Sequence, residues 1–398
     1  MHSIKAKIIL IVGASLLVGS AAMAWLFNRS YQKTLERASE QALTQARESF
    51  QIQKKNAIEL MSASIQALQG NRDLVDAFAA RDREHLGQVT GPLYADFAKQ
   101  FGVTHWNYWE SEPEGASHVK GLTNFYRAAT PKKFGEFLER ATLAKVTEQK
   151  SFVDGLDLGN TGFALRVLGP VHRDGKVIGY FEIGKDIASF LDSMKKQSGS
   201  EYGLMLVKAK VDALKWASSR ASRGLRNDWD DMKEFVLAKN TSADASIFNY
   251  DKTIQGIPAT GEQLGLVTKD ATIFARAVLP LDDASGERVG GVFILTDVTE
   301  MYRSAVETRN RALVFIVALN LVVGVGLGLL FQLLIVRRLD RLIQVATRVV
   351  GGEYQTRIES TSKDEIGRFE KLFDQFREVF VSVVAEVEKP RETPKDVG

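Results

Sequence analysis

The chain has 398 residues, 45% of them hydrophobic and 25% charged, with a net charge of only +3 and no cysteine. That length predicts two or three domains, and the composition is that of an ordered protein. Thiol catalysis, disulfides and cysteine-type zinc sites are excluded, and the charge balance gives no footprint for nucleic acid.

The first element is an uncharged run, Ile8–Phe27, behind Lys5 and Lys7. Ala22-Met23-Ala24 fits a cleavable secretory signal. The apolar run continues past it through Trp25-Leu26-Phe27, which favours a retained membrane helix over residues 1–27. From Asn28 to about residue 70 there is no Pro or Gly until Gly70, and Ile58, Met61, Ile65 and Leu68 keep a 3-4-3 spacing. This predicts a long stalk helix with one apolar seam, broken at Gly70-Asn71.

Next comes an internal repeat. Phe163-Ala-Leu-Arg-Val-Leu-Gly-Pro170 and Gly175-Lys-Val-Ile-Gly-Tyr-Phe-Glu-Ile-Gly-Lys-Asp186 return as Phe274-Ala-Arg-Ala-Val-Leu-Pro280 and Gly286-Glu-Arg-Val-Gly-Gly-Val-Phe-Ile-Leu-Thr-Asp297. Arg166 matches Arg276, Gly179 matches Gly290 and Asp186 matches Asp297, at a near-constant offset of about 110 residues. Each copy reads as strand, turn, strand, with an aspartate opening the next helix. Two α/β modules are therefore expected, over 71–199 and 200–311.

Within the first module, strand alternation places His105, Asn107 and Trp109 on one face and Trp106, Tyr108 and Glu110 on the other. Arg166 is expected across its hairpin from about Tyr180, diagonal to Glu182. One reading makes Arg166 and Glu182 a cross-strand ion pair among core aromatics. The other makes His105, Tyr108, Trp109, Arg127, Arg166 and Glu182 a binding site for a small polar or anionic ligand, with arginine as a bidentate donor. The second copy has Phe293 in place of Glu182, which directs attention to the first module. The basic cluster from Lys208 to Arg226 is followed at once by Asp228, Asp230 and Asp231, so it reads as a locally paired surface rather than an anion site.

A second uncharged run, Ala312–Val336, exceeds the roughly 20 residues that span a bilayer. Arg337, Arg338 and Arg341 close it, and with Lys5 and Lys7 they put both termini in the cytoplasm and residues 28–311 outside. Gly324-x-x-x-Gly328 gives weak support for helix pairing. Beyond it, Leu339, Leu342, Ala346 and Val349 repeat at 3-4-3, Gly351-Gly352 interrupt, and Ile366, Phe369, Phe373, Phe376, Phe380 and Val383 resume the pattern after Asp364-Glu-Ile-Gly367. Two heptad helices joined by a connector favour a parallel bundle of two chains. The tail 389–398 is polar.

The tandem modules between two membrane helices resemble the double Cache family of sensor domains. Phe101-Gly-Val-Thr-His-Trp-Asn-Tyr-Trp109, Arg127-x-x-x-Pro131, Gly135-Glu136 and Gly155…Gly159-x-x-Gly162 resemble one of its subfamilies, except that Trp109 and Ala129 stand where further histidines are usual. Residues 337–388 resemble a HAMP domain, with Gly352, Asp364, Glu365 and Gly367 at its signalling positions and Arg338 about where a proline is usual. These resemblances imply an α+β fold and a homodimeric bacterial inner-membrane sensor. It would bind a small extracytoplasmic ligand, need no cofactor or metal, and act on a separate kinase, cyclase or chemotaxis component. No HExxH, P-loop or GxGxxG motif occurs in a soluble segment, so no enzyme activity is expected. The competing reading is a membrane-anchored interaction protein whose outer region binds an extracytoplasmic protein.

Overall fold

The computed structural model describes residues 4–113, 119–159, 162–250 and 252–387, and the tail 389–398 lies outside them. The chain divides into two compact units, Lys33–Arg303 and Met1–Gln32 with Ser304–Gly398.

In the first of these units, helix α1 (Ile4–Gln69) contributes its C-terminal part, followed by α2 (Arg72–Ala79) and α3 (Arg83–Phe101). The seam expected on the stalk is real: Met61 and Ile65 are buried, and Ile58 and Leu68 pack against the same core. The helix ends at Gln69, where Asn71 caps α2 by accepting a hydrogen bond from the Leu74 amide.

Two antiparallel sheets follow. The first comprises β1 (His105–Glu110), β2 (Gly121–Arg127), β3 (Phe137–Glu139), β4 (Val153–Leu158), β5 (Phe163–Arg173) and β6 (Lys176–Asp186), in the order β3-β2-β1-β6-β5-β4. Helix α4 (Ala141–Gln149) precedes β4, and α5 (Ala188–Ser198) follows β6. The second sheet comprises β7 (Glu201–Val207), β8 (Phe235–Asn240), β9 (Glu262–Lys269), β10 (Thr272–Asp282) and β11 (Arg288–Asp297), in the order β8-β7-β11-β10-β9, with helix α6 (Ala213–Ser222) between β7 and β8. The sequence repeat is thus a repeat of sheet: β1-β6-β5-β4 and β7-β11-β10-β9 have one topology.

The matched residues do the same work in both copies. A Cβ on Gly179 would run into the Trp109 carbonyl oxygen and the Phe78 ring; one on Gly290 would meet the Met205 carbonyl oxygen and the Phe163 ring. The Asp186 carboxylate accepts from the Ala188 amide and the Asp297 carboxylate from the Thr299 amide, so both aspartates open the next helix. One face of both sheets buries against α1, α2 and α5 in a shared core that includes Phe50, Trp106, Phe181, Leu204 and Ile294.

The hairpin register differs from the sequence expectation. Arg166 lies opposite Gly184, not Tyr180, because β5 runs on to Arg173. The turn is Asp174-Gly175, both with positive φ, and a bulge between Val171 and His172 shifts the ladder by one more residue. Glu182 nevertheless remains diagonal to Arg166. The basic cluster is paired, as expected: Arg220 with Asp228 at 2.9 Å, Arg226 with Asp231 and Lys210 with Glu287.

In the other unit, two helices contain stretches long and apolar enough to cross a membrane, within α1 and within α7 (Thr299–Phe331). Gly324 and Gly328 face Val12, Gly13 and Leu16 of the same chain, and Asn320 donates to Ser20 Oγ across the pair. A π-helical turn, Gln332–Val336, leads into α8 (Arg337–Val350), and α9 (Glu365–Val387) follows a connector. Leu342, Val345, Val349 and Ile358 form a small core with Tyr354, Ile366 and Phe373. Asp364 caps α9 through the Gly367 amide at 2.7 Å. Arg338 reaches Asp364 at 2.7 Å and Glu370 at 2.6 Å, joining α8 to α9.

Candidate functional site

Four strands of the first sheet, β1, β4, β5 and β6, and the start of α4 converge on a buried charge cluster. Glu182, on β6, has no solvent exposure and accepts four contacts. Asn107 Nδ2 and Trp109 Nε1 each donate to it at 2.9 Å, Arg166 pairs with it directly, and Arg140 Nη1 lies 3.6 Å away. Behind Arg166, at 3.6 Å, is Asp157 of β4, which also accepts from Thr142 Oγ1. Burying such charges is costly unless they are paired and hydrogen-bonded, and here two arginines face two carboxylates.

The cluster pulls its acids apart. Burial works against ionisation of Glu182, but Arg166 and Arg140 prevail and hold its carboxyl down at about 2. Asp157 is pushed up, because burial outweighs the more distant Arg166. Burial and the neighbouring Arg166 push His105 down to about 3, so its ring is neutral, and Thr104 Oγ1 meets its Nδ1 at 2.9 Å. Arg140 is lowered by burial and by Arg166, and lies over the Trp109 ring at 5.5 Å.

In front of this cluster is an open cleft of about 630 Å³, lined among others by His105, Asn107, Arg127, Lys133, Glu136 and Arg140. Arg127 pairs with Glu136 at 2.9 Å. Of the six residues singled out from the sequence, His105 and Arg127 line the cleft. Arg166, Glu182 and Trp109 form the buried layer beneath it, where Arg166 is 2% exposed. Tyr108 points to the opposite face, stacked on Phe181 with ring centres 4.6 Å apart and next to Phe78. The ion-pair reading of Arg166 and Glu182 describes their geometry, and of the six only His105 and Arg127 face the cleft. Arg140 and Asp157 escaped the sequence reading because both lie outside the repeated segments, Arg140 as the residue just before α4. The only signal for Asp157 was its place within the glycine-marked stretch Gly155…Gly162. Among the described residues, no group of three or more His, Cys, Asp or Glu is arranged to hold a metal ion.

The dCache_3 family model, described as a double sensory domain of two-component sensor kinase, matches residues 28–302. No curated protein sequence matches the chain. Among solved structures, the ligand-binding domain of the Campylobacter jejuni chemoreceptor Tlp3 in complex with L-valine is similar over 68% of this chain and 95% of its own, at 9% identity and a TM-score of 0.37. The sensor domain of the V. cholerae histidine kinase DctB is similar over 67% and 98%, at 10% identity and a TM-score of 0.36.

Proposed function

Since this chain belongs to the dCache_3 family of double sensory domains, we propose that it is a membrane-bound sensor whose ligand is a small polar solute carrying a carboxylate. The ligand occupies the cleft in front of Arg127 and Arg140. The observation that carries this is Arg140 itself. Its side chain lines the 630 Å³ cleft, and among the described residues its one ion pair is the long contact, 3.6 Å, that the buried Nη1 makes to Glu182 without a hydrogen bond. A carboxylate in the cleft pairs with the N–H groups not turned toward Glu182 and offsets the repulsion between Arg140 and Arg166. Glu136 and Glu139, which also line the cleft, suit a cationic group on the same solute.

Residues 28–311 form the extracytoplasmic part between two membrane spans, and both termini lie in the cytoplasm. Residues 337–388 act as a HAMP relay. Support for this comes from an outward row on α9, in which Phe369, Leu372, Phe376, Val379 and Val383 are all more than half exposed at 3-4-3-4 spacing. A second copy of the chain covers that seam in a parallel homodimer. Ligand binding biases two packings of the relay by its differential affinity for them, and a separate kinase, cyclase or chemotaxis component reads the result. The protein performs no catalysis itself.

The test is a thermal-shift screen of residues 28–311 against amino acids, carboxylates, amines and purines. At a hundredfold excess over Kd, a true ligand adds about 2.7 kcal/mol of stability. Arg140→Ala or Arg127→Ala should remove the shift while leaving the unliganded melt cooperative. A panel without hits transfers the function to a protein partner, for which Phe134 and Phe137, 46% and 58% exposed beside the cleft, offer the contact surface.

A further inference from the structure

The two sheets carry the same arginine in the same ladder position with opposite surroundings. Arg166 pairs across β4 with Gly155 and across β6 with Gly184; Arg276 pairs across β9 with Gly265 and across β11 with Leu295. Counting along those ladders, the positions of Asp157 and Glu182 in the first module are those of Val267 and Phe293 in the second. Both carboxylates that neutralise Arg166 are replaced by apolar side chains.

Arg276 has not been released to solvent by this change. Its Nε is buried without a hydrogen-bond partner, and Nη2 makes one long hydrogen bond, 3.4 Å, to the Leu264 carbonyl. Among the described residues it makes no ion pair. A guanidinium kept in the sheet without an acid is an unfavourable arrangement that an anion would offset. The space for one exists: a cleft of about 200 Å³ bounded by Tyr250, Lys252, Glu262, Gln263 and Arg276.

We infer that the second module binds a small monocarboxylate on Arg276, at a site separate from the cleft of the first module. The planar fork of arginine matches a carboxylate in two parallel hydrogen bonds. Lys252 adds a second positive charge at the rim, and Glu262 opposes any anion carrying two negative charges. The cleft has about a third of the volume of the first-module cleft, which restricts it to short, compact acids.

The experiment uses the full chain in detergent micelles, titrated with sodium acetate against sodium chloride and sodium sulfate at equal ionic strength, and followed by thermal melting. Acetate should give a saturable rise that chloride and sulfate do not. Arg276→Gln should weaken acetate binding roughly tenfold to a hundredfold, the loss of a charge-assisted hydrogen bond or two. Glu262→Gln, which leaves Arg276 in place, should tighten acetate and admit sulfate, a gain that a purely structural role for the arginine does not produce. Arg173→Gln, at a surface arginine paired with Asp76 and outside both clefts, should leave the acetate response unchanged. The inference is overturned if sulfate acts as well as acetate on the unmodified chain, if the response survives Arg276→Gln, or if it is lost with Arg173→Gln instead. It is also overturned if acetate binds only after Asp251→Asn. That residue lies outside the described ones, and such a result would mean that the chain supplies its own carboxylate.

Discussion

Replacing Glu182 with glutamine tests the buried floor of the first-module cleft. The substitution keeps the shape and removes the charge, leaving Arg166 with Asp157 at 3.6 Å and Arg140 with no acid in reach among the described residues. Arg166 and Arg140 hold the carboxyl down at about 2 in the folded protein against 4.5 for a free glutamate side chain, a difference worth about 3 kcal/mol. Breaking a buried pair from one side typically costs about 3–5 kcal/mol, which agrees. Because the folded value is depressed, the contribution is fully present above about pH 4.5 and disappears as pH falls through about 2. Urea unfolding of residues 28–311 at pH 7 should therefore show a gap of about 3 kcal/mol between parent and variant, and the gap should narrow steadily on acidification. Adding Arg166→Met should not recover the loss, because it removes the partner of Asp157 as well and still leaves Arg140 without an acid. A single variant that costs less than about 1 kcal/mol at pH 7, the worth of an exposed pair, would refute the claim that this cluster is held away from water.

His105 supplies a second pH signature. Burial and Arg166 push its ring down to about 3 against 6.5 for a free imidazole, so the unfolded chain takes up its proton first, and stability should decline as pH drops below about 6.5. His105→Gln should flatten the decline between pH 7 and 5, above the range in which most carboxylates titrate; an unchanged slope would place the proton uptake elsewhere. Gly179→Ala and Gly290→Ala should each cost about 1–3 kcal/mol by overpacking, in the same unfolding assay, because each new methyl group meets a neighbouring strand's carbonyl oxygen. If one is tolerated and the other is not, the two sheets are less alike than their ladders indicate.

Much of this architecture was legible in the chain because it is written twice. Gly179 and Gly290, or Asp186 and Asp297, are explained by one local geometry each, and periodicity alone located the stalk seam at Met61 and Ile65. Pairing was harder to read. Alternation tells which face a residue occupies, so His105, Asn107 and Trp109 fell together correctly, with Tyr108 opposite. It does not tell where a hairpin closes: the tight Asp174-Gly175 turn and the bulge at Val171 put Arg166 opposite Gly184, four residues beyond Tyr180. Arg140 and Asp157 were invisible for another reason. Each joins the cluster through tertiary packing, from a segment whose local pattern says nothing about charge partners.

Strand β4 is the outer strand of the first sheet, with unpaired backbone groups along one side of the kind through which chains stick to one another. The Ala284 amide, in the turn between β10 and β11, donates to the Leu156 carbonyl of β4 at 2.7 Å, and a Cβ on Gly155 would collide with the Ala284 methyl. The second module thus seals the first one's open border, and the border at the other end, β3, is only three residues long. Duplication here does more than double the number of pockets. It shields a sheet that, as a single copy, would offer β4 as a template for self-association, so a first module expressed without its companion is expected to aggregate before it misfolds.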